Sequence, residues 1–219
     1  MHKRSFSSDL LPHHHRPPVA AVQTCAAGGG EDTKCRATGA GPQSVVAEVV
    51  FRGRWLCALL ILQSLSGSVL SYFEELIRKH LVITLFLTML VGAGGNCGNQ
   101  SAIAVIRSLA MGELDLSVRS FRRTMLRQAR VGAGLALTTT CVGAARVVLT
   151  NGEAKNVLGI SASLFTIVFT STLLGSALPF ALGRAGVDPA NAGTTIQVVM
   201  DVLGVLTICG VCSIVFARG

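Results

Sequence analysis

The sequence predicts an all-α, polytopic membrane protein with five transmembrane helices. Of its 219 residues, 50% are apolar and 14% are charged, whereas soluble domains usually carry about 25% charged residues. The segment 81–106 contains no charged residue, and it is longer than the ~20 residues that a helix needs to cross a bilayer. Two Asn and one Gln lie inside this segment, where lipid offers no water to bond with their amides. Together these observations predict membrane helices around a polar path.

Residues 1–50 differ in composition from the rest of the chain. They contain three consecutive histidines, paired prolines and a run of glycines, with no sustained apolar period. This composition predicts a disordered leader, followed by a membrane domain over 51–219. The leader is rich in Ser, Arg and Ala and poor in acids, as organelle transit peptides are. The location is therefore a plasma membrane or an organelle membrane, such as that of a plastid.

Five apolar segments of suitable length follow the leader. They are 55–73, 81–106, 131–149, 157–183 and 190–217. The short links at 74–80 and 184–189 predict that the spans on either side of each link are antiparallel neighbours.

The distribution of basic residues predicts the orientation of these spans. The loop 107–130 carries six arginines against two acids, and Arg36, Arg52 and Arg54 precede the first span. With five spans, both regions lie on one side, and the positive-inside rule makes that side internal. We therefore expect the N-terminus inside and the C-terminus outside. The basic residues cluster in the leader and in one loop with few aromatics among them, so positive-inside topology explains them better than nucleic-acid binding does.

The second span contains the polar string that predicts a pathway. Polar, glycine-rich backbone at membrane depth is tolerated only where it packs against protein or lines a wet cavity. The expected lining residues are Gly94, Gly95, Asn96, Gly98, Asn99 and Gln100. Alternatively, the amides hold helices together by hydrogen bonds. At the outer end of the first span, Glu74 is expected to line the path and Glu75 to be solvated.

Asp201 interrupts the fifth span and is the sharpest candidate for chemistry. Eleven residues of the span precede it and 16 follow it, and an acid at that depth costs at least ~2.5–3.5 kcal/mol on insertion scales. Such residues usually face a cavity and mark a pathway. Alternatively, Asp201 is protonated and bonded between helices, or it pairs with Arg146.

Asp188 and Pro189 open the same span. Asp suits a helix cap, and Pro suits the first helical turn. An acid at the mouth of a path also attracts cations. Asp188 and Asp201 are 13 positions apart, which corresponds to ~20 Å along a helix. The two acids therefore mark an entrance and a deep site rather than one shared site.

No set of residues predicts an enzyme. The membrane part contains one histidine, His80, and it lies in a predicted loop. The sequence has no GxSxG-type elbow. The glycine string of the second span also lacks the Lys-Ser/Thr ending of a phosphate-binding loop.

Several segments resemble the MgtE-type magnesium transporter family. The first is GAGGNCGNQSAIAVIRSLAMGELDL at 92–116, followed by SFRRTMLRQARVGAGLAL at 120–137. The others are LLGSALPFALGRAGVDPA at 173–190 and MDVLGV at 200–205, with Tyr72-Phe73-Glu74 similar to the close of the family's first membrane helix.

The resemblance implies a homodimer of five-helix membrane domains with an ion path at the dimer axis. Asp201 matches the family's pore acid in the D-V-x-G motif, which holds Mg²⁺, and Asp188 is a further candidate metal residue. The glycine and amide string of the second helix would line the same path. The family's bacterial members also carry regulatory domains, and this sequence has its short leader in their place, so feedback gating by such domains is not expected.

The expected function is a transporter or channel for Mg²⁺, with no organic cofactor. Oxygen ligands also accept Mn²⁺, Co²⁺ and Ni²⁺, so the sequence leaves these ions open as further partners beside the lipid bilayer. Two alternatives remain open: a cation exchanger or exporter of the related eukaryotic type, and a non-conducting membrane scaffold.

Overall fold

The computed structural model describes residues 45–150 and 152–217, except the side chains of Phe51 and Ala217. These residues form helices without any strand, which confirms the all-α class. In order, the helices are α1 (Val45–Gln63), α2 (Leu65–Tyr72), α3 (Glu74–Lys79), α4 (Leu81–Ala110), α5 (Val118–Thr150), α6 (Ala154–Arg184), a short 3-10 helix (Pro189–Asn191) and α7 (Ala192–Ala217). The predicted disorder and transit signal of the leader lie outside the described residues, apart from its last six residues.

Four of the predicted spans correspond to helices long and apolar enough to cross a membrane. They are Leu81–Ala110, Val118–Thr150, Ala154–Arg184 and Pro189–Phe216. The third predicted span corresponds to α5, which begins 13 residues before the predicted start at 131. Arginine is a good helix former, so the helix also includes the basic segment that precedes its apolar part. The predicted loop 107–130 thereby shrinks to a short connection after Ala110.

The first predicted span is divided between α1 and α2 at Ser64. This residue donates its hydroxyl hydrogen to the carbonyl of Ile61, at 2.6 Å. Helix α1 begins at Val45, inside the predicted leader, and it carries Glu48 as well as two arginines. Within the described part of the chain, these two helices are not among those that qualify as membrane spans, so the count of five remains a prediction.

Helix α6 is the centre of the bundle. It packs against α4, α5 and α7, and α4 and α7 also pack against each other. Their buried side chains include Leu90, Ile160, Ile167, Ile196 and Ile208. Helix α5 packs mainly on α6 and leaves many apolar side chains exposed along its length, as a lipid-facing helix does.

Glycines allow the backbones of α4 and α6 to approach each other. A Cβ atom added to Gly175 would overlap the carbonyl oxygen of Gly98. One added to Gly98 would lie 2.6 Å from Ser171 Oγ and 2.7 Å from Ile196 Cγ1. Small residues permit this kind of close helix packing in membranes. Part of the glycine string of α4 is therefore explained by packing.

This contact predicts that Gly175→Ala destabilises the protein by about 1–3 kcal/mol, because overpacking forces the two backbones apart. The measurement is the midpoint of thermal unfolding in detergent. The control is Gly134→Ala, since a Cβ there meets nothing within 4 Å and Ala favours helix. Equal midpoints for the two variants would show that the backbones are not in contact.

Candidate functional site

The carboxylate of Asp201 is held by two neutral amides. Gln63, at the end of α1, donates from Nε2 to Oδ2 at 2.5 Å. Gln197 donates from Nε2 to Oδ1 at 3.2 Å, and it lies one helical turn before Asp201 on the same face of α7. The Asp201 side chain is half-buried. Both oxygens therefore have hydrogen-bond donors, and neither donor brings a positive charge.

Arg146 does not pair with Asp201. Its side chain is exposed and donates to the hydroxyl of Thr150 on the same helix. Within 45–150 and 152–217, the ion pairs join Arg52 to Glu48, Arg78 to Glu74 and Lys79 to Glu75. The structure thus gives Asp201 amide partners in place of the alternative pairing with Arg146.

Glycines on α4 and α7 provide room for amide side chains between these helices. Gln197 lies over Gly95, where an added Cβ would be 2.5 Å from its Cδ. Conversely, Asn99 of α4 lies over Gly193 at the start of α7, where an added Cβ would be 2.7 Å from Asn99 Oδ1. The two contacts are one helical turn apart on each helix. We call Gln63, Asn99, Gln197 and Asp201 the polar seam.

Of the predicted lining residues, Gly95 and Asn99 lie at this seam. Gly94 and Gly98 are buried against α6 instead: Ser171 donates to the Gly94 carbonyl oxygen, and Gly98 meets Gly175. Asn96 and Gln100 are exposed. Each follows a seam-facing residue, Gly95 or Asn99, by one position, which is a rotation of about 100° around the helix. Their face of α4 is therefore next to the seam but not part of it.

The polar contacts of Glu74 and Asp188 are with residues outside the polar seam. Glu74 is exposed and pairs with Arg78 at 2.6 Å. Asp188 is exposed and accepts a hydrogen bond from the Ala190 backbone at 2.9 Å, which confirms its predicted role as a cap. Glu75 is exposed, and its hydrogen bond from Lys79 holds the pKa of its carboxyl below the ordinary value.

Two residues of the seam were not singled out by sequence analysis. Gln197 could have been found from its spacing, since a polar residue one turn before Asp201 shares its helix face. Gln63 carries the same signal as Asn99, an uncharged polar group inside an apolar segment. Its partner, however, is 138 positions away in the sequence, and no local pattern connects the two.

The chemistry of the seam suits a hard cation that keeps much of its water. Across the described residues, no three His, Cys, Asp or Glu side chains form a metal cluster. One carboxylate with nearby amides cannot enclose an ion completely. Mg²⁺ is commonly bound through one or two carboxylates while it retains several waters. Cys97, the nearest thiol of the α4 string, contacts Thr172 on α6 at 3.2 Å, away from the seam.

Comparison with known proteins agrees with this chemistry. The family described as MgtE, divalent cation transporter, matches residues 87–211. A magnesium transporter MgtE of Thermus thermophilus is 38% identical over 76% of this chain and 36% of its own length. The magnesium transporter MgtE of Bacillus subtilis is 30% identical over 72% of this chain and 35% of its own length. A third relative with the same name, from Enterococcus faecalis, is 29% identical over 69% of this chain.

The chain thus spans about a third of the length of these relatives, at 33–36% of each. The matched part includes α6 and most of α4 and α7, with the polar seam except Gln63. The chain belongs to the MgtE family of divalent cation transporters.

Proposed function

We propose that this protein moves Mg²⁺ across a membrane along a path that passes Asp201. The observation that carries the proposal is the carboxylate within the apolar helix α7, whose hydrogen-bond partners are neutral amides. Relatives named magnesium transporters support Mg²⁺ as the cargo.

The amides keep the carboxylate available for a cation. Hydrogen bonds from Gln63 and Gln197 stabilise the negative charge without cancelling it, whereas an arginine partner would neutralise it. A glutamine side chain also has an oxygen that accepts hydrogen bonds. When a hydrated Mg²⁺ arrives, rotated amides can accept bonds from its waters while Asp201 faces the ion. Because each hydrogen bond is modest in net energy, it can be exchanged as ions enter and leave.

We propose further that two copies of the chain form the path. The exposed amides of Asn96 and Gln100 support this arrangement, because amides facing lipid would lack partners. A second chain would cover them and bring a second Asp201 towards the first. Two carboxylates match the charge of a divalent ion. Asp188 and Glu74, exposed at the ends of this region, are proposed to attract cations at its mouths.

In the same proposal, α1 and α2 together form a fifth span. Helices α1 and α2 both pack against α7, and the hydrogen bond from Gln63 to Asp201 joins α1 to the seam. With five spans, the basic start of α5 and the N-terminus lie on the inner side. An inside-negative potential then favours Mg²⁺ entry by ~4.6 kcal/mol per 100 mV, twice the value for a single charge.

We expect Asp201→Asn to lower Mg²⁺ uptake into proteoliposomes at least tenfold, since a lost interaction of about 1.4 kcal/mol already changes an equilibrium by that factor. A Mg²⁺-sensitive dye inside the liposomes reports the uptake. The matched control is Glu75→Gln, which removes an exposed acid paired with Lys79 and should transport normally. Normal uptake by Asp201→Asn would refute the proposed path, and no uptake by the unchanged protein would favour the scaffold.

The bond between Gln63 and Asp201 can be tested by a double-mutant cycle. We expect Gln63→Met to lower the unfolding free energy in the unchanged protein and to have a smaller effect in the Asp201→Asn background. The expected coupling is about 1.5–3 kcal/mol, typical of a hydrogen bond to a charged group. Thermal unfolding of all four proteins in one detergent gives this value. Additive effects would mean that the two side chains do not interact.

The proposed dimer can be tested by making the face of α4 that carries Asn96 and Gln100 apolar. Asn96→Leu combined with Gln100→Leu should reduce dimerisation, because the amides would lose partners on the second chain. Counting photobleaching steps of labelled protein in liposomes gives the subunit number. The control is Thr138→Leu, an exposed position of α5 where the hydroxyl donates to the backbone of its own helix. An unchanged proportion of dimers in the double variant would place this face towards lipid.

A further inference from the structure

The end of α4 and the first turns of α5 form a basic cleft. Its volume is about 900 Å³, and its lining includes Arg107, Arg119, Arg123 and Arg127. All four arginine side chains are exposed. We call these four residues the arginine cleft.

The two acids of this region, Glu113 and Asp115, accept hydrogen bonds from serines. Ser108 donates to Glu113 at 3.1 Å, and Ser117 donates to Asp115 at 2.8 Å. The Ser117 bond holds the pKa of the Asp115 carboxyl below its ordinary value. None of the ion pairs among the described residues includes an arginine of the cleft. Four positive charges therefore face two negative charges, and the cleft favours an anion.

The connection that shapes the cleft is fixed by hydrogen bonds. Arg184, at the end of α6, donates from Nε and Nη2 to the carbonyl of Leu116 at 3.0 and 2.8 Å. The backbone N–H of Ser120 donates to the Ser117 hydroxyl at 3.2 Å, which caps the start of α5. Gly112 turns the chain with a φ of +72°, a conformation that glycine adopts without strain. The cleft is thus built by the fold before any ligand arrives.

Apolar side chains stand beside the arginines. Val118 and Leu126 are 72% and 60% exposed, and they line an adjoining cavity of about 460 Å³ with Arg119, Arg122 and Arg123. Exposed apolar groups next to basic groups are typical of a surface at the boundary between headgroups and acyl chains. The cleft also lies at the ends of two helices that are long and apolar enough to span a membrane.

The geometry points to a binding site for an anionic phospholipid in the arginine cleft. The lipid phosphate would be held by the arginines, whose planar guanidinium groups bind phosphate through paired N–H donors. The upper part of an acyl chain would lie along Val118 and Leu126. The site requires a diester phosphate attached to an apolar chain, and this combination distinguishes a lipid from a soluble phosphate.

The test measures phosphatidylglycerol and phosphatidylcholine binding to the full chain in detergent by native mass spectrometry. The unchanged protein should prefer phosphatidylglycerol, and high salt should weaken that preference. Arg119→Gln, Arg123→Gln and Arg127→Gln together should reduce the preference at least about tenfold, because several basic groups contribute near an anionic headgroup. The control combines Arg52→Gln, Arg78→Gln and Lys79→Gln, which removes three exposed charges that already have acid partners.

A second pair of variants separates a lipid from a free phosphate. Val118→Ser with Leu126→Ser should weaken phosphatidylglycerol binding and leave glycerol phosphate binding unchanged. Equal losses in the two triple variants, or no preference in the unchanged protein, would overturn the proposal. So would glycerol phosphate binding as tightly as the lipid. Because all these positions are exposed, the variants should unfold at the same temperature as the unchanged protein.

Discussion

The hydrogen bonding of the Asp201 carboxylate is the interaction on which the rest of the structure depends. An acid inside an apolar helix is expensive unless its oxygens have donors. Here the donors come from Gln197 on the same helix and from Gln63 on α1. The bond from Gln63 joins α1 to α7, and the bond from Gln197 comes from an amide one turn before the acid. Since the donors are neutral, no positive side chain among the described residues balances the charge of Asp201.

Glycine packing makes this arrangement possible. At the contact of α4 with α7, Gly95 gives space to Gln197, and Gly193 gives space to Asn99. A larger residue at either glycine would occupy the volume of an amide and displace that side chain. The glycines that meet α6 act differently, because there they bring two backbones together. One string of sequence therefore serves two purposes, and the face of α4 on which each residue lies decides which.

Much of the fold can be predicted from the sequence, because apolar length is a local property. The sequence predicts four spans that correspond to α4 to α7. It places the start of α5 too late, because the helix already begins in the basic segment that precedes the apolar one. It does not predict the division of α1 from α2 at Ser64, where neither a proline nor a glycine marks the boundary. Asp201 is found because a charge in an apolar run is visible from its neighbours. Gln63 is missed because its importance arises from a contact between distant parts of the chain.

The placement of positive charge is compatible with the proposed cation path. Within α4, α6 and α7, the basic residues Arg107, Lys155 and Arg184 all lie close to helix ends. Helix α5 has its arginine-rich part at its start, and it packs against α6 rather than against α4 or α7, the two helices whose contact forms the seam. On the proposed path, a cation approaching Asp201 would therefore meet amides and one carboxylate from each chain in the interior, while the arginines of these helices are kept at the boundary. Had arginine replaced Gln63 or Gln197, the carboxylate would be equally satisfied but the same position would repel a cation. The choice of amides over guanidinium groups is thus the feature on which the proposed ion path depends, because a structural salt bridge would leave no free charge for a cation.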